Sequence, residues 1–207
     1  MKNIFNKRFL LDLIMYLGIP LLIWNTCRSL MGDYLAMLLS TVPGIIYTVY
    51  TVIKERHVSL TGSFILATAI IGGILDVYSK SANQMLYNMI YMNTGLVLFW
   101  IFTMLIKKPM AMFFFIDYAY LQGVPKAHSR VLYKQNPLFK YFFYLTTFLV
   151  FRDLSDIFLR LLLINVYGVD GFSKIKIITQ VWDTIMTVLF VYGIIFIIKK
   201  IPKVSII

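Results

Sequence analysis

Cysteine occurs once in these 207 residues, at Cys27, so an internal disulfide and a cysteine-rich metal site are both excluded. Trp24-Asn25-Thr26 precedes it where a lipoprotein cleavage site would have leucine and small residues. Histidine occurs twice, and neither His57 nor His128 has a second ligand at metal-binding spacing. Charge is scarce, at 14% of residues, where a soluble domain carries about 25%. No nucleophile elbow, phosphate-cradling glycine loop or HExxH motif is present. Asp156 and Asp183 could mimic an intramembrane aspartyl dyad, but the glycine-flanked pattern of such proteases is missing. The chain therefore reads as non-catalytic, with no cofactor and no metal. A net charge of +11 suggests nucleic acid at first sight. The cations instead fill short segments between apolar runs, and no zinc-finger spacing or basic reading helix exists. Nucleic acid is not an expected partner.

What the chain has in abundance is apolar length. Hydrophobic residues make up 60% and the mean hydropathy is +0.80. A membrane helix needs about 20 apolar residues to cross a core about 30 Å thick. Six runs meet that length, at roughly 9–25, 34–53, 59–79, 85–106, 141–166 and 178–198. Lys2, Lys7 and Arg8 precede the first run, which has no Ala-x-Ala cleavage site and reads as a retained span. Pro20 and Pro43-Gly44 should kink the first two spans. With the N-terminus inside, fourteen Lys and Arg fall in inside segments and four (Arg28, Lys80, Lys174, Lys176) in outside ones. That bias over short loops puts both termini in the cytoplasm. The expected architecture is thus a single all-α polytopic membrane domain over 1–207, in the cytoplasmic membrane, with six transmembrane helices.

Residues 107–140 separate spans four and five. Pro109 to Leu121 is apolar apart from Asp117, too short to span, and suits an interfacial or re-entrant helix. Gly123 and Pro125 end it, and a basic connection follows. Lys107, Lys108, Lys126, Arg130 and Lys134 should meet anionic lipid headgroups, with another membrane protein or a second copy of the chain as the other kind of partner.

The most informative stretch is Phe151 to Arg160. Arg152, Asp153, Asp156 and Arg160 fall within about 100° of one another on a helix of 3.6 residues per turn. Asp156 should pair with Arg152 and Arg160, one turn to either side. A charge at mid-bilayer costs about 3 kcal/mol or more unless it is paired or wetted, so this arc must face inward. Asp76, Asn88, Asn93, Gln180 and Asp183 share the outer half of their spans with it. Together they suggest an outward-facing polar cluster built from spans three to six. Its acids (Asp76, Asp153, Asp156, Asp183) exceed its bases (Arg152, Arg160) by two. Two readings stay open: a structural ion-pair seam, or a site for a cation, a proton or a polar solute. The two three-span halves would have opposite orientations, as inverted-repeat transporters do, but the prolines of the first half have no counterparts in the second.

Three short stretches carry a family likeness. They are Leu10-Leu11-Asp12 through Ile19-Pro20-Leu21-Leu22, Ser40-Thr41-Val42-Pro43 followed by Lys54-Glu55-Arg56, and Leu105-Ile106-Lys107-Lys108-Pro109. On these the chain resembles the bacterial intracellular septation protein A-like family of small membrane proteins. The resemblance implies a six-span inner-membrane protein with an envelope or division role, and no reaction.

Overall fold

A computed structural model describes residues 11, 14–54 and 60–201. Lys2, Lys7, Arg8, Asp12, the Glu55-Arg56-His57 loop, Lys203 and both termini lie outside the described residues. Every element among the described residues is helical. A π-helical turn at Ile14–Gly18 leads into α1 (Ile19–Lys54). There follow α2 (Leu60–Val77), α3 (Ala82–Leu105), α4 (Met110–Leu121), α5 (Lys126–Tyr133), α6 (Leu138–Tyr167) and α7 (Phe172–Lys200). Among the described residues four stretches are long and apolar enough to cross a membrane: Ile14–Thr51, Leu60–Val77, Ala82–Leu105 and Phe172–Lys200. The 30-residue α6 has the length as well, but carries the four charges of the 152–160 stretch.

α1 is two helices in sequence. At Gly32 the backbone takes φ 79° and ψ 168°, a conformation essentially confined to glycine. Across that break the Tyr16 hydroxyl lies 2.8 Å from Thr48 Oγ1, and the Tyr16 and Tyr47 rings meet edge to face at 5.6 Å. Gly32 is the midpoint between Tyr16 and Thr48, so the arms 14–31 and 33–54 run antiparallel as a helical hairpin. At 1.5 Å per residue the arms are about 27 and 33 Å long. Pro43 remains inside the second arm. Pro20 follows closely on the π-helical turn Ile14–Gly18, a local distortion of the kind that accompanies a residue without an N–H inside a helix.

The chain packs as two compact units. One holds α1, Gly62–Met92 and Ile157–Val181. Its core is Trp24, Ala36, Met37, Met85, Leu86, Ile90, Ile164 and Ile175. The Trp24 ring lies 4.7 Å from Phe172. Arg28 bridges Asp33 and Asp170 while stacking 4.9 Å over Trp24.

The other unit holds Asn93–Asp156, the chain from Trp182 onward and a short piece ending at Thr61. Here α6 and α7 run antiparallel in one register. Ser155 faces Trp182, Phe148 stacks on Phe190, Leu145 meets Gly193 and Tyr141 meets Phe196. Gly193 matters at that crossing, because a Cβ there would lie 2.9 Å from Leu145 Cδ1. α3 is also antiparallel to α6, through Asn93–Asp156, Trp100–Asp153 and Met104–Thr147. α4 lies along the first turns of α6, where the Ala111 N–H reaches Thr146 Oγ1 and Phe115 packs on Phe142. It is too short to span, as the sequence indicates. Ala111, Met112, Phe115, Ile116 and Ala119 are all buried in this unit's core, whereas an interfacial helix lays its apolar face on lipid. The apolar residues of 110–119 find their partners within the protein.

Candidate functional site

The buried positions of α6 are Leu138, Phe142, Leu145, Thr146, Leu149, Asp153, Asp156 and Ile164. They recur every three or four residues, so the two aspartates continue the stripe that leucine and phenylalanine begin. Of the charged arc, Asp153 and Asp156 are buried and Arg152 and Arg160 are half-buried.

Asp153 is 2% exposed. Trp100 Nε1 donates to its Oδ2 at 2.7 Å. Arg152 Nε and a terminal guanidinium nitrogen reach its Oδ1 at 2.8 and 2.6 Å. Both carboxylate oxygens are therefore engaged by charge-assisted or indole donors. The Arg152–Asp156 pair read from the i, i+4 spacing does not form; Arg152 turns to its chain neighbour Asp153 instead. Asp156 accepts a short hydrogen bond from Asn93 Nδ2. Asn93 and Trp100 are seven residues apart on α3, two turns along one face, and meet α6 at two successive levels. Between these two levels, Trp182 Nε1 donates to Ser155 Oγ at 3.3 Å. Asp183, next to Trp182, is half-buried on α7.

Asp76 and Arg160 belong to the other unit, where they line a cavity of about 90 Å³ with Lys176, Ser40, Thr41 and Met89. Asn88 holds Asp76 in place, donating to its Oδ1 at 2.9 Å and to Ser79 Oγ at 2.8 Å. Tyr34 closes the end of α2 by donating to the Val77 carbonyl at 3.0 Å. Two cations and one carboxylate face this space, so the acid surplus read from the sequence does not apply to it. Lys176, counted as an outside-loop charge, takes this space from formally neutral to +1. A space of that size has room for several waters.

The chain matches no family model, no curated protein and no solved structure. What it does must therefore be argued from its own side chains.

The basic residues of 107–134 divide into three roles. Lys126 is engaged within the protein, 3.0 Å from Asp117 and 5.0 Å over the Tyr120 ring. Asp117 also accepts from the Thr61 N–H and hydroxyl at 2.8 and 2.9 Å. Burial pushes the Asp117 carboxyl up, but the Thr61 N–H and the Lys126 ammonium outweigh it and hold the pKa below 3.8. Lys107 is exposed and terminates α3 in a left-handed conformation, φ 55°. Its N–H returns to the Met104 carbonyl and the next N–H, of Lys108, to that of Thr103, the two bonds of a Schellman turn. Lys108, Arg130 and Lys134 line a common cavity with Met112 and Phe113.

Sequence reasoning located the aspartates but missed Trp100, the donor that fixes Asp153. The available signal was an indole seven residues from Asn93, on the same face of an apolar helix.

Proposed function

We propose that the chain is a non-catalytic, six-span protein of the cytoplasmic membrane with both termini inside, acting through lipids and membrane partners. In this reading its intramembrane charges hold helices together. The observation that carries it is Asp153, 2% exposed with both oxygens engaged at 2.6–2.8 Å. A carboxylate that loads and releases a cation or a proton needs a vacant oxygen and access to water; a structural one needs neither. The hairpin at Gly32 supports the count of six, since it divides Ile14–Thr51 into two arms of membrane-spanning length. The excess of Lys and Arg in alternate segments supports the orientation. The Leu105-Ile106-Lys107-Lys108-Pro109 and Ser40-Thr41-Val42-Pro43 stretches support an envelope or division role of the septation protein A-like kind.

A second reading is a small transporter or channel, favoured by the cavity between Asp76, Arg160 and Lys176. Proteoliposomes screened for ion and solute flux, with and without a pH gradient, separate the two. The structural reading predicts that Asp153→Asn and Asp156→Asn change thermal stability and leave flux at the level of empty liposomes. A wild-type flux that a folded Asp153→Asn protein loses would overturn it.

A further inference from the structure

The cavity between Lys108, Arg130 and Lys134 has a volume of about 320 Å³, and its remaining walls are Met112 and Phe113. The fold brings the walls of this cavity together from three places. The left-handed turn at Lys107 sets Lys108 after the end of α3. Arg130 on α5 and Lys134, the residue that caps its C-terminus, are one turn apart, and the adjacent face of the helix buries Ser129 and Tyr133. Met112 and Phe113 come from the first turn of α4. Three formal positive charges thus share a space with no acid on its walls. Among the described residues none of the three makes an ion pair or a side-chain hydrogen bond. The acid of residues 107–140, Asp117, is already held by Lys126 and Thr61. Like charges one helical turn apart disfavour α5 unless an anion sits between them.

We propose that this cavity binds the phosphate of an anionic phospholipid, with Lys108, Arg130 and Lys134 as its ligands. The guanidinium supplies the planar fork that phosphate accepts, and the two ammonium groups supply mobile donors. The apolar walls argue for a lipid over a free phosphate, since Met112 and Phe113 offer the glycerol and acyl carbons a surface that an inorganic ion does not use. A charge of +3 favours a headgroup with two phosphates, such as cardiolipin, over one with a single phosphate. This differs from diffuse attraction to a charged leaflet, because it predicts a fixed stoichiometry and dependence on three named residues. The proposal rests on the reading of the chain as membrane-embedded.

The test is native mass spectrometry of the full chain released from nanodiscs containing phosphatidylcholine and cardiolipin. The wild type retains one cardiolipin per chain in preference to phosphatidylcholine. Arg130→Gln and Lys134→Gln each weaken retention about fivefold, and the double variant abolishes the preference. Lys107→Asn, which removes a neighbouring charge outside the cavity, retains the lipid as the wild type does. Equal retention by the double variant, or equal loss in Lys107→Asn, overturns the site. Displacement of cardiolipin by added inorganic phosphate assigns the cavity to a soluble anion and overturns the lipid. A thermal melt of each variant identifies misfolding, in which case Lys134→Ala, at the exposed end of α5, carries the comparison. Alkaline washing of native membranes checks the membrane reading separately: a chain that resists extraction but shows no lipid preference fails on the site alone.

Discussion

Replacing Asp153 removes the acceptor of Trp100 Nε1 and the partner of Arg152 together. Trp100 is itself buried, so its indole N–H would be left without an acceptor; an unsatisfied buried donor costs about 1–3 kcal/mol. Arg152 has a side chain 31% exposed and can turn toward solvent or headgroups, which limits its share to about 1 kcal/mol or less. Asp153→Ala should therefore destabilise by about 2–4 kcal/mol. Asp153→Asn keeps the shape and one acceptor oxygen and should lose about 1–2 kcal/mol, the charged component of the two contacts. Trp100→Phe leaves the Asp153 Oδ2 without its donor and opens a small void, for about 2–4 kcal/mol. The double variant Trp100→Phe/Asp153→Leu removes donor and acceptor together. It should be at least about 1 kcal/mol more stable than the sum of Trp100→Phe and Asp153→Leu, because paired polar groups are cheaper to delete jointly. Thermal and denaturant midpoints of the purified proteins in one detergent give the cycle. Additive losses, or an Asp153→Asn protein as stable as the wild type, would refute the idea that this carboxylate holds α3 to α6.

Gly32→Ala should cost about 1–3 kcal/mol, because the φ 79°, ψ 168° conformation excludes a Cβ; a melting temperature equal to wild type would show that the hairpin turn differs. Arg28→Ala should cost only about 1–2 kcal/mol, since the Asp170 side chain it bridges is 88% exposed and its main gain is stacking on Trp24; the loss should shrink in high salt. Asp117 has a pKa below its unfolded value of 3.8, so its contribution is complete above that pH and is lost as pH falls through the lower folded value. Wild-type protein should therefore lose stability relative to Asp117→Asn below about pH 4, and parallel curves from neutral to strongly acid pH would contradict the Thr61–Asp117–Lys126 contact.

The helices were legible because the apolar runs are long. Runs at 59–79 and 85–106 correspond to α2 and α3 within a few residues, and the break between the first two runs is the Gly32 turn. The inward face of α6 was legible too, since Arg152, Asp153, Asp156 and Arg160 fall in one arc and hydrocarbon penalises the opposite orientation. The partner of Arg152 was not. Helical spacing places Arg152 near Asp156, but Arg152 and Asp153 sit close enough for the long guanidinium side chain to fold back, and Asn93 takes Asp156 from across the interface. A single chain's periodicity carries no information on which residues of α3 lie at that height, so Trp100 stayed hidden among apolar neighbours. The same blindness applies to Lys126, whose ion pair with Asp117 charge counting does not reveal. The burial of α4 could not be read either, because a dozen residues apolar apart from Asp117 suit a protein core as well as a bilayer surface.

Accessibility of Ser29 tests the six-span topology most directly. Ile14–Thr51 has 38 residues and as one straight helix would be about 57 Å long, with Ser29 deep in hydrocarbon. In the proposed topology, reversal at Gly32 would instead put Ser29 outside, as the charge bias does Lys80, with Lys126 inside. Cys27→Ser removes the native thiol, and Ser29→Cys then supplies a single probe. In intact cells a membrane-impermeant maleimide should modify Cys at position 29, and likewise at 80, but should reach position 126 only after the cells are opened. A position 29 that stays unlabelled in intact and opened cells alike would contradict the hairpin and, with it, the six crossings.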